Sequence, residues 1–484
     1  MGDYECEATV SFASKTSCSG YNPMAIIKDL LTGEIKRYDP VMTNTYNGQF
    51  PTGGKGSTTY APYSSFAYFF RANVTCGVYY SWTIEGFSNF STHSFVLRNL
   101  TAQKTSRYFS INEYDLTAPG LTKTLAAIKK IDFTEFDGLI HAGDVSYDVQ
   151  FFGGKQGEDY FNTLSFVNAR TPYIVIAGNH EVYDKAWAFN YRLMLPNYNS
   201  LFQNSVYSSI RGNVFFLFVN YDYFFSIFRG TKMMFFEYVR QELERSRDPS
   251  IIWRVVVSHR PIMCGDSLTF DCFYNLYGFK IFYELYRKYN VNIFLNGHVH
   301  FYQRVRLMSN RFESAKFTKT TDNIVATCSN LKDPMIIIAG CAGSKDLASY
   351  AIIDTMANST ITDTECYSDM TFDEQRFSYT VYNSGTMQPM ETTIINRIPP
   401  ATPDSSNSEM VMWWRILIMV VVAVLAGLGV MLFLIKCKLV SQASSSKPGP
   451  TVYESKTQQA QASEIKTGAP SSENVNFQVA SAQQ

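Results

Sequence analysis

The chain has 484 residues, of which 46% are apolar and only 17% charged, so most of it should fold into two or three domains. The 42 basic residues are balanced by 42 acidic ones. This balance excludes a protein that attracts nucleic acid through a large net positive charge, and we expect no nucleic-acid partner.

Residues 1–105 are rich in Ser, Thr, Tyr and Gly, and short apolar runs such as Phe66–Phe70 and Gly77–Trp82 alternate with turn residues. No helical period is visible in this part of the chain. The pattern predicts a small β-sandwich.

Between residues 106 and 395, short apolar runs alternate with stretches of helical period. The predicted strands are Gly138–His141, Tyr173–Ala177, Val214–Val219, Arg254–Val257, Ile293–Leu295, Met335–Ala339 and Ser378–Tyr382, and the predicted helices are Leu121–Ile131, Met233–Glu244 and Phe279–Tyr289. Strands that alternate with helices predict an α/β domain with its functional loops at the strand ends.

Near the C-terminus, Ile416–Ile435 is a run of 20 residues without a charge, which is long enough to cross the ~30 Å of a hydrocarbon core. Tryptophans precede the run and lysines follow it, as at the two faces of a membrane. We therefore predict a stalk at 396–412, a transmembrane helix at 413–436 that contacts membrane lipid, and a disordered cytosolic tail at 437–484.

Eight of the nine cysteines and four N-x-[ST] sequons precede this run. Both features favour an extracytoplasmic location, and the lysines that follow the run favour a cytosolic C-terminus. We expect a single-pass membrane protein whose larger part lies at the cell surface or in the lumen of an acidic, lysosome-like compartment. The first ten residues match neither a signal peptide nor a myristoylation motif, so the helix inserts uncleaved or the true start lies upstream.

Four short motifs occur in order, each directly after an apolar run: Gly143–Tyr147 (GDVSY), Gly178–Glu181 (GNHE), Val256–Pro261 (VVSHRP) and Gly297–His300 (GHVH). Their carboxylate, amide, imidazole and phenol groups are metal ligands. Each motif alone also fits a turn or a buried histidine. However, four of the six histidines of the chain fall within these motifs, and this concentration favours a metal site.

The order GDxxY, GNHE, HRP, GHxH resembles the metallophosphoesterase superfamily, and within it the purple acid phosphatases. The tyrosine three residues after Asp144 and the segment His298–Arg304 (HVHFYQR) are similar to that branch. The resemblance covers roughly residues 60–390. It implies an α+β chain: a fibronectin-III-like β-sandwich at 1–105, and an α/β four-layer metallophosphoesterase β-sandwich at 106–395 that precedes the transmembrane helix.

The resemblance also implies a dinuclear centre of Fe(III) and a divalent iron, zinc or manganese ion, which together would activate a water and neutralise phosphoryl oxygens. Asp144 would bridge both ions. His180 would contact the substrate phosphate, and Asp266 is the candidate for a catalytic acid. The remaining ligands would be Asp115, Tyr147 and His300 on the ferric ion, and Asn179, His259 and His298 on the divalent ion.

The sequence departs from the family pattern in two places. The first motif is expected to read D-x-G, but Thr117 stands where the glycine should follow Asp115. Asp115 is the best candidate ligand, and Glu113 or Asn112 serves if the register shifts. Past the third motif, the histidines that some members have are absent, and the segment from Cys264 to Cys272 stands there instead. We expect a disulfide between these two cysteines that shapes the pocket rim. Elsewhere, Cys437 beside the predicted helix is a palmitoylation candidate.

These features predict an acid phosphatase that hydrolyses phosphomonoesters of small molecules or phosphoproteins outside the cytosol. Two alternatives remain open. One is a metallophosphodiesterase or nucleotide phosphohydrolase with the same ligands. The other is a membrane-held binding protein that has kept the fold and lost turnover, and the irregular first motif is the feature that favours it.

Overall fold

The computed structural model describes residues 5–397, except for 15–22, 55, 87–90, 117, 119, 183–186, 191, 194, 197–200, 227–228, 263–281, 306–317, 320–324, 330–333, 345–356 and 362–363. The predicted transmembrane helix at 413–436, the tail at 437–484 and all but the first two residues of the stalk lie outside the described residues. Among the residues described, no helix is both long and apolar enough to cross a bilayer.

The described N-terminal residues form seven strands in two sheets. The strands are β1 Glu5–Ser14, β2 Met24–Asp29, β3 Ile35–Tyr38, β4 Pro40–Pro51, β5 Tyr60–Thr75, β6 Tyr79–Glu85 and β7 His93–Val96. One sheet has the order β1-β5-β4 and the other β3-β2-β6-β7. Alternate residues of β5 (Phe70, Ala72 and Val74) pack against Trp82 and Ile84 of β6, because successive side chains of a strand point to opposite faces. The predicted β-rich N-terminal region is confirmed.

Each strand and helix predicted after residue 105 overlaps an observed one, and the structure has further strands and helices between them. The strands are β8 Ser106–Ser110, β9 Gly138–Ala142, β10 Tyr173–Ile176, β11 Val206–Arg211, β12 Val214–Val219, β13 Trp253–Ser258, β14 Ile293–Asn296, β15 Tyr302–Val305, β16 Thr318–Lys319, β17 Val325–Ser329, β18 Met335–Ala339, β19 Ala357–Ile361, β20 Cys366–Phe372, β21 Arg376–Asn383 and β22 Pro389–Asn396. The helices are α1 Leu100–Gln103, α2 Leu121–Ile128, α3 Lys155–Thr163, α4 Ser165–Asn168, α5 Asn179–Val182, α6 Trp187–Asn190, α7 Tyr221–Ser226, α8 Arg229–Glu244 and α9 at 282–288.

Two large sheets face each other in this second region. One has the order β10-β9-β8-β20-β21-β22-β17-β16 and the other β11-β12-β13-β14-β18-β15-β19. Tyr108 of β8 meets Phe216 of β12 edge to face, with the ring centroids 5.0 Å apart. The neighbouring residues Phe215 and Leu217 point the other way and pack with Val239 of α8. Every residue of β12 is buried, which explains why its sequence is continuously apolar rather than alternating.

Parallel strands within each sheet determine where the motifs meet. Strands β8, β9 and β10 run parallel in one sheet, and β12, β13, β14 and β18 run parallel in the other. The four motifs begin at the carboxyl ends of β9, β10, β13 and β14. Loops at the carboxyl ends of parallel strands meet at one edge of a sheet, where ligands commonly bind.

The N-terminal region and the region that follows share a hydrophobic core. Phe50 of β4 and Tyr63 of β5 belong to the same buried cluster as Val149 and Tyr160. Trp82 donates a hydrogen bond from its indole nitrogen to the carbonyl oxygen of Ala169, at 2.8 Å. The predicted boundary at residue 105 therefore separates two sets of sheets that lie within one compact unit, Met1–Pro399.

A disulfide bond joins Cys341 to Cys366 across a sequence separation of 25 residues. Cys76 is also disulfide-bonded, whereas Cys328 is a buried free thiol. The predicted pair Cys264 and Cys272 lies outside the described residues. Disulfides form and persist in oxidising compartments, so these bonds are consistent with an extracytoplasmic location.

The Cys341–Cys366 bond should contribute substantially to stability because it closes a long loop in the unfolded chain. Replacing both cysteines by Ser should lower the free energy of unfolding by ~2–4 kcal/mol, measured by urea denaturation. Cys328→Ala is the matched control, since it alters a buried cysteine that forms no cross-link. An equal or smaller loss in the double variant than in this control would contradict the prediction.

Candidate metal centre

The loops after five parallel strands bring the motif residues together. Each loop contributes one or two polar side chains to a common cluster: Glu113 after β8, Asp144 and Tyr147 after β9, Asn179 after β10, His259 after β13, and His298 and His300 after β14. Short distances between their oxygen and nitrogen atoms divide these residues into two adjoining groups.

The first group surrounds the imidazole of His259. Its Nε2 lies 2.8 Å from Oδ1 of Asn179, 3.3 Å from Oδ1 of Asp144 and 3.2 Å from Nδ1 of His298. Asp144, His259 and His298 each offer one ligand atom, and these atoms lie within 4.8 Å of one another. One carboxylate, one amide oxygen and two imidazoles form a donor set that suits a divalent transition metal.

The second group surrounds the phenol of Tyr147. Its oxygen lies 2.5 Å from Oε2 of Glu113 and 2.5 Å from Nε2 of His300. Glu113 is fully buried, and its Oε1 accepts a hydrogen bond from the backbone N–H of His298. A carboxylate and a phenol beside an imidazole suit a harder and more highly charged ion than the first group does.

The first-motif carboxylate in contact with Tyr147 and His300 is Glu113. Glycines make room for its longer side chain: a Cβ at Gly297 would lie 2.8 Å from Oε1 of Glu113, and a Cβ at Gly340 would lie 3.0 Å from its Cγ. Asp115, the carboxylate expected here, is also buried two residues further on. The geometry favours Glu113, the alternative that a register shift allows, because its carboxylate contacts the phenol of Tyr147.

Hydrogen bonds from outside the cluster orient two of the three histidines. The Nδ1 of His259 donates to the carbonyl oxygen of Ala142 at 2.9 Å, and the Nδ1 of His300 lies 2.8 Å from Oγ of Ser344. In both rings the other nitrogen faces the cluster. Such outer contacts fix the orientation of metal-binding histidines.

His298 is held differently. Arg260 donates one hydrogen bond to Nε2 of His298 at 2.8 Å and another to Oδ1 of Asp222 at 2.8 Å. A guanidinium can only donate, so a neutral His298 in this arrangement has its ring proton on Nδ1. A metal ion bound at Nδ1 would leave the ring proton on Nε2. The hydrogen bond that Arg260 donates to Nε2 would then have to be replaced.

The cluster carries buried negative charge that attracts cations. Burial by itself would lower the pKa of His259, but the negative charges of Asp144 and Glu113 raise that pKa to about 10. Burial by itself would raise the pKa of Asp144, but the positive charge of His259 lowers that pKa below its ordinary value. Protons on the histidines or bound metal ions can balance these carboxylates. The donor atoms and the charge thus fit a metal centre.

Comparison with known proteins agrees with this geometry. Residues 115–302 match the calcineurin-like phosphoesterase family. Acid phosphatase type 7 from Danio rerio is 24% identical over 241 residues, which are 45% of this chain and 51% of that protein. The Mus musculus protein of the same name is 24% identical over 225 residues, which are 44% of this chain and 49% of that protein. The chain thus spans about half the length of the curated relatives it matches.

A solved structure is similar over a larger part of the chain. Purple acid phosphatase from yellow lupin seeds superposes with a TM-score of 0.64 and 16% identity, and the match covers 81% of this chain and 72% of that one. Residues 115–302 are thus similar in sequence to the calcineurin-like phosphoesterases. The fold of the second region, with two facing sheets and outer helices, resembles that of a purple acid phosphatase, as expected.

His180 lies at the edge of the cluster, with its side chain 20% exposed. Its Nδ1 is 3.1 Å from Oδ2 of Asp148, and its Nε2 is 3.8 Å from Oδ2 of Asp144. Burial opposes the charged form of His180, but the hydrogen bond to Asp148 and the charge of Asp144 raise its pKa to about 9. His180 can therefore present a positive imidazole beside the cluster.

Glu181 connects two of the four sequence motifs. Its buried carboxyl group accepts hydrogen bonds from the backbone N–H groups of Gly178 at 2.7 Å, Val145 at 2.9 Å and Asp144 at 3.0 Å. Burial and the charge of Asp144 raise its pKa to about 8. Glu181 is the last residue of the GNHE motif, and the sequence alone indicated no role for it.

The sequence did not single out two further residues that contact the cluster. Arg260 stands in the HRP motif, so its position was a signal, but Ser344 follows a loop with no informative pattern. Asp266, the expected catalytic acid, lies outside the described residues.

Proposed function

We propose that this protein is an acid phosphatase that hydrolyses phosphomonoesters at a dinuclear centre of Fe(III) and a divalent iron, zinc or manganese ion. The two adjoining donor groups, one around His259 with Asp144 and one around Tyr147 with Glu113 and His300, support this proposal. When bound, the ions would supply an activated water and positive charge for the phosphoryl oxygens.

The residues around that centre would have different roles. Asp144 would bind both ions, with Glu113 and Tyr147 as anionic ligands on the ferric side. His180 lies at the edge of the cluster, where its hydrogen bond to Asp148 and the charge of Asp144 raise its pKa, and it would orient the phosphate of the substrate. Arg260, once released from His298, would add a guanidinium whose forked donors match phosphate oxygens.

The proposal is tested by metal analysis and substrate assays on the full-length protein in detergent. We expect two metal ions per chain, and faster phosphate release from small phosphomonoesters and phosphopeptides than from diesters or nucleotides. Faster cleavage of diesters or nucleotides would favour the phosphodiesterase or nucleotide phosphohydrolase alternative. Two bound metals without turnover of any ester would favour a binding protein that has kept only the fold.

Tyr147 provides a spectroscopic test of the ferric site. A phenolate bound to Fe(III) should give a visible absorption band in the iron-loaded protein, and Tyr147→Phe should abolish the band because it removes the ligand oxygen. Tyr379→Phe is the matched control, since that buried phenol bonds Ser368 at 2.6 Å, away from the cluster. A colourless wild-type protein that is fully active with iron would contradict the role of Tyr147.

The same proposal places residues 1–410 outside the cytosol, on a single-pass helix with a cytosolic tail. The disulfides of Cys76 and of Cys341 with Cys366 support this location, as does the exposed sequon at Asn73. Glycosidase treatment should increase gel mobility, by less in Asn73→Gln, and intact vesicles should protect the N-terminal part from protease. A catalytic region without glycan that is cleaved on the cytosolic face would reverse this orientation.

A further inference from the structure

The backbone that carries Tyr147 has an unusual conformation. Residues Asp144, Ser146, Tyr147 and Asp148 have φ angles of +52°, +66°, +49° and +75°. A residue with a side chain pays about 1–3 kcal/mol for such a conformation, which persists only where the surroundings enforce it. The protein must therefore contain contacts that hold this segment in place.

The side chain of Gln156 supplies such contacts. Its Nε2 donates hydrogen bonds to the carbonyl oxygens of Ser146 and Tyr147, each at 2.5 Å. In return, Oγ of Ser146 donates to the carbonyl oxygen of Gln156 at 3.3 Å. Gln156 is only 6% exposed, so water cannot easily replace these bonds. The two carbonyl groups belong to the peptide units before and after Tyr147, and the second of these units leads directly to Asp148. Holding both units therefore fixes the backbone from which the side chain of Tyr147 projects and the backbone that enters Asp148.

Gln156 lies in the first turn of α3, and the N-terminal region contacts the chain just before it. The backbone N–H of Gly153 donates to the carbonyl oxygen of Pro51 at 2.7 Å, and that of Phe152 donates to Gly53 at 3.3 Å. Pro51 and Gly53 belong to the hairpin that joins β4 to β5. The segment before Gln156 is thus bonded to the N-terminal region rather than to its own sheets.

Side chains of the same hairpin contact the start of α3. Gly154 lies so close that a Cβ there would come within 2.7 Å of Tyr63 and 2.9 Å of Phe50. The hydroxyl of Tyr63 donates to Oε1 of Glu158 at 2.9 Å and accepts from Arg192 at 3.3 Å. The hairpin therefore fixes α3 on both sides of Gln156.

We propose that Gln156 is a positioning residue for Tyr147 and for Asp148, the partner of His180, and that the β4–β5 hairpin holds Gln156 in place. The N-terminal region is then a working part of the catalytic architecture rather than a separate module. The proposal rests on the proposed function, because it takes Tyr147 as a metal ligand and His180 as a phosphate-binding group.

The test compares the full-length wild type with Gln156→Met, which keeps the length of the side chain and removes its donors. Loss of a residue that orients metal ligands typically costs ~10–100-fold in metal affinity or activity. We expect a loss of that size in Gln156→Met, together with a shifted or weakened iron–phenolate band. Tyr63→Phe removes the hydroxyl through which the hairpin contacts Glu158 and Arg192. This variant should shift or weaken the iron–phenolate band less than Gln156→Met does.

Asn204→Leu is the matched control. This buried amide also donates two hydrogen bonds, to Asn190 at 3.2 Å and to Leu193 at 3.0 Å, outside the cluster. It should lower Tm and leave the band and kcat unchanged. A wild-type band, metal affinity and kcat in Gln156→Met would overturn the positioning role alone. A wild-type protein that binds no metal would overturn the proposed function and this inference together.

Discussion

Replacing Asp144 by Asn should leave a folded protein that holds fewer than two metal ions per chain and does not hydrolyse phosphate esters. Asp144 is buried beside Nε2 of His259, at 3.3 Å, and its Oδ1 also accepts the backbone N–H of His180 at 3.0 Å. An amide of the same size keeps the packing but removes the negative charge that both ions would share.

The expected loss of activity in Asp144→Asn is at least the ~10²–10³-fold that removal of one transition-state-stabilising group costs. Metal content by elemental analysis and kcat on a small phosphomonoester provide the measurement. Asp137→Asn is the matched control, because that buried carboxylate is paired with Arg98 at 2.6 Å away from the cluster. This control should lose stability without losing metal. Full activity of Asp144→Asn with two metals retained would show that the centre is built on other residues.

The second large effect concerns the first-motif carboxylate, for which the chain offers two candidates. Glu113→Gln should lose one metal ion and most of the activity, because its carboxylate contacts both Tyr147 and the N–H of His298. Asp115→Asn should retain both ions. Elemental analysis of the two variants, prepared identically, discriminates between the candidates.

Both variants keep the shape of the side chain that they replace, so a difference in metal content cannot come from packing alone. Thermal unfolding of the metal-free proteins serves as a further control, since both carboxylates are buried. Loss of metal in Asp115→Asn with full metal in Glu113→Gln would restore Asp115 as the ligand, and the contacts of Glu113 would then be structural.

Local patterns were sufficient for the positions of the strands and of most cluster residues. Val214–Val219 and Met335–Ala339 were predicted with their observed bounds, because a fully buried strand leaves a continuous apolar run between polar neighbours. The motifs GDVSY, GNHE, SHRP and GHVH each follow such a run. Since parallel strands end at one edge of a sheet, their order alone placed Asp144, Asn179, His259 and His298 close together.

Long-range contacts decided the rest. Whether Glu113 or Asp115 reaches Tyr147 depends on the turn after β8 and on space left by Gly297 and Gly340, more than 180 residues away in sequence. The pairing of Cys341 with Cys366 could not be read from eight cysteines with several possible connectivities.

The contact between the β4–β5 hairpin and the start of α3 also joins residues about a hundred positions apart. Hydrophobic periodicity reports only which face of each element is buried. For this chain the sequence alone therefore determined seven strands of the second region, the order of the four motifs and the family they resemble. Only the tertiary structure decided which carboxylate completes the second donor group and that the N-terminal hairpin supports the loop of Tyr147, because those facts depend on how distant elements pack.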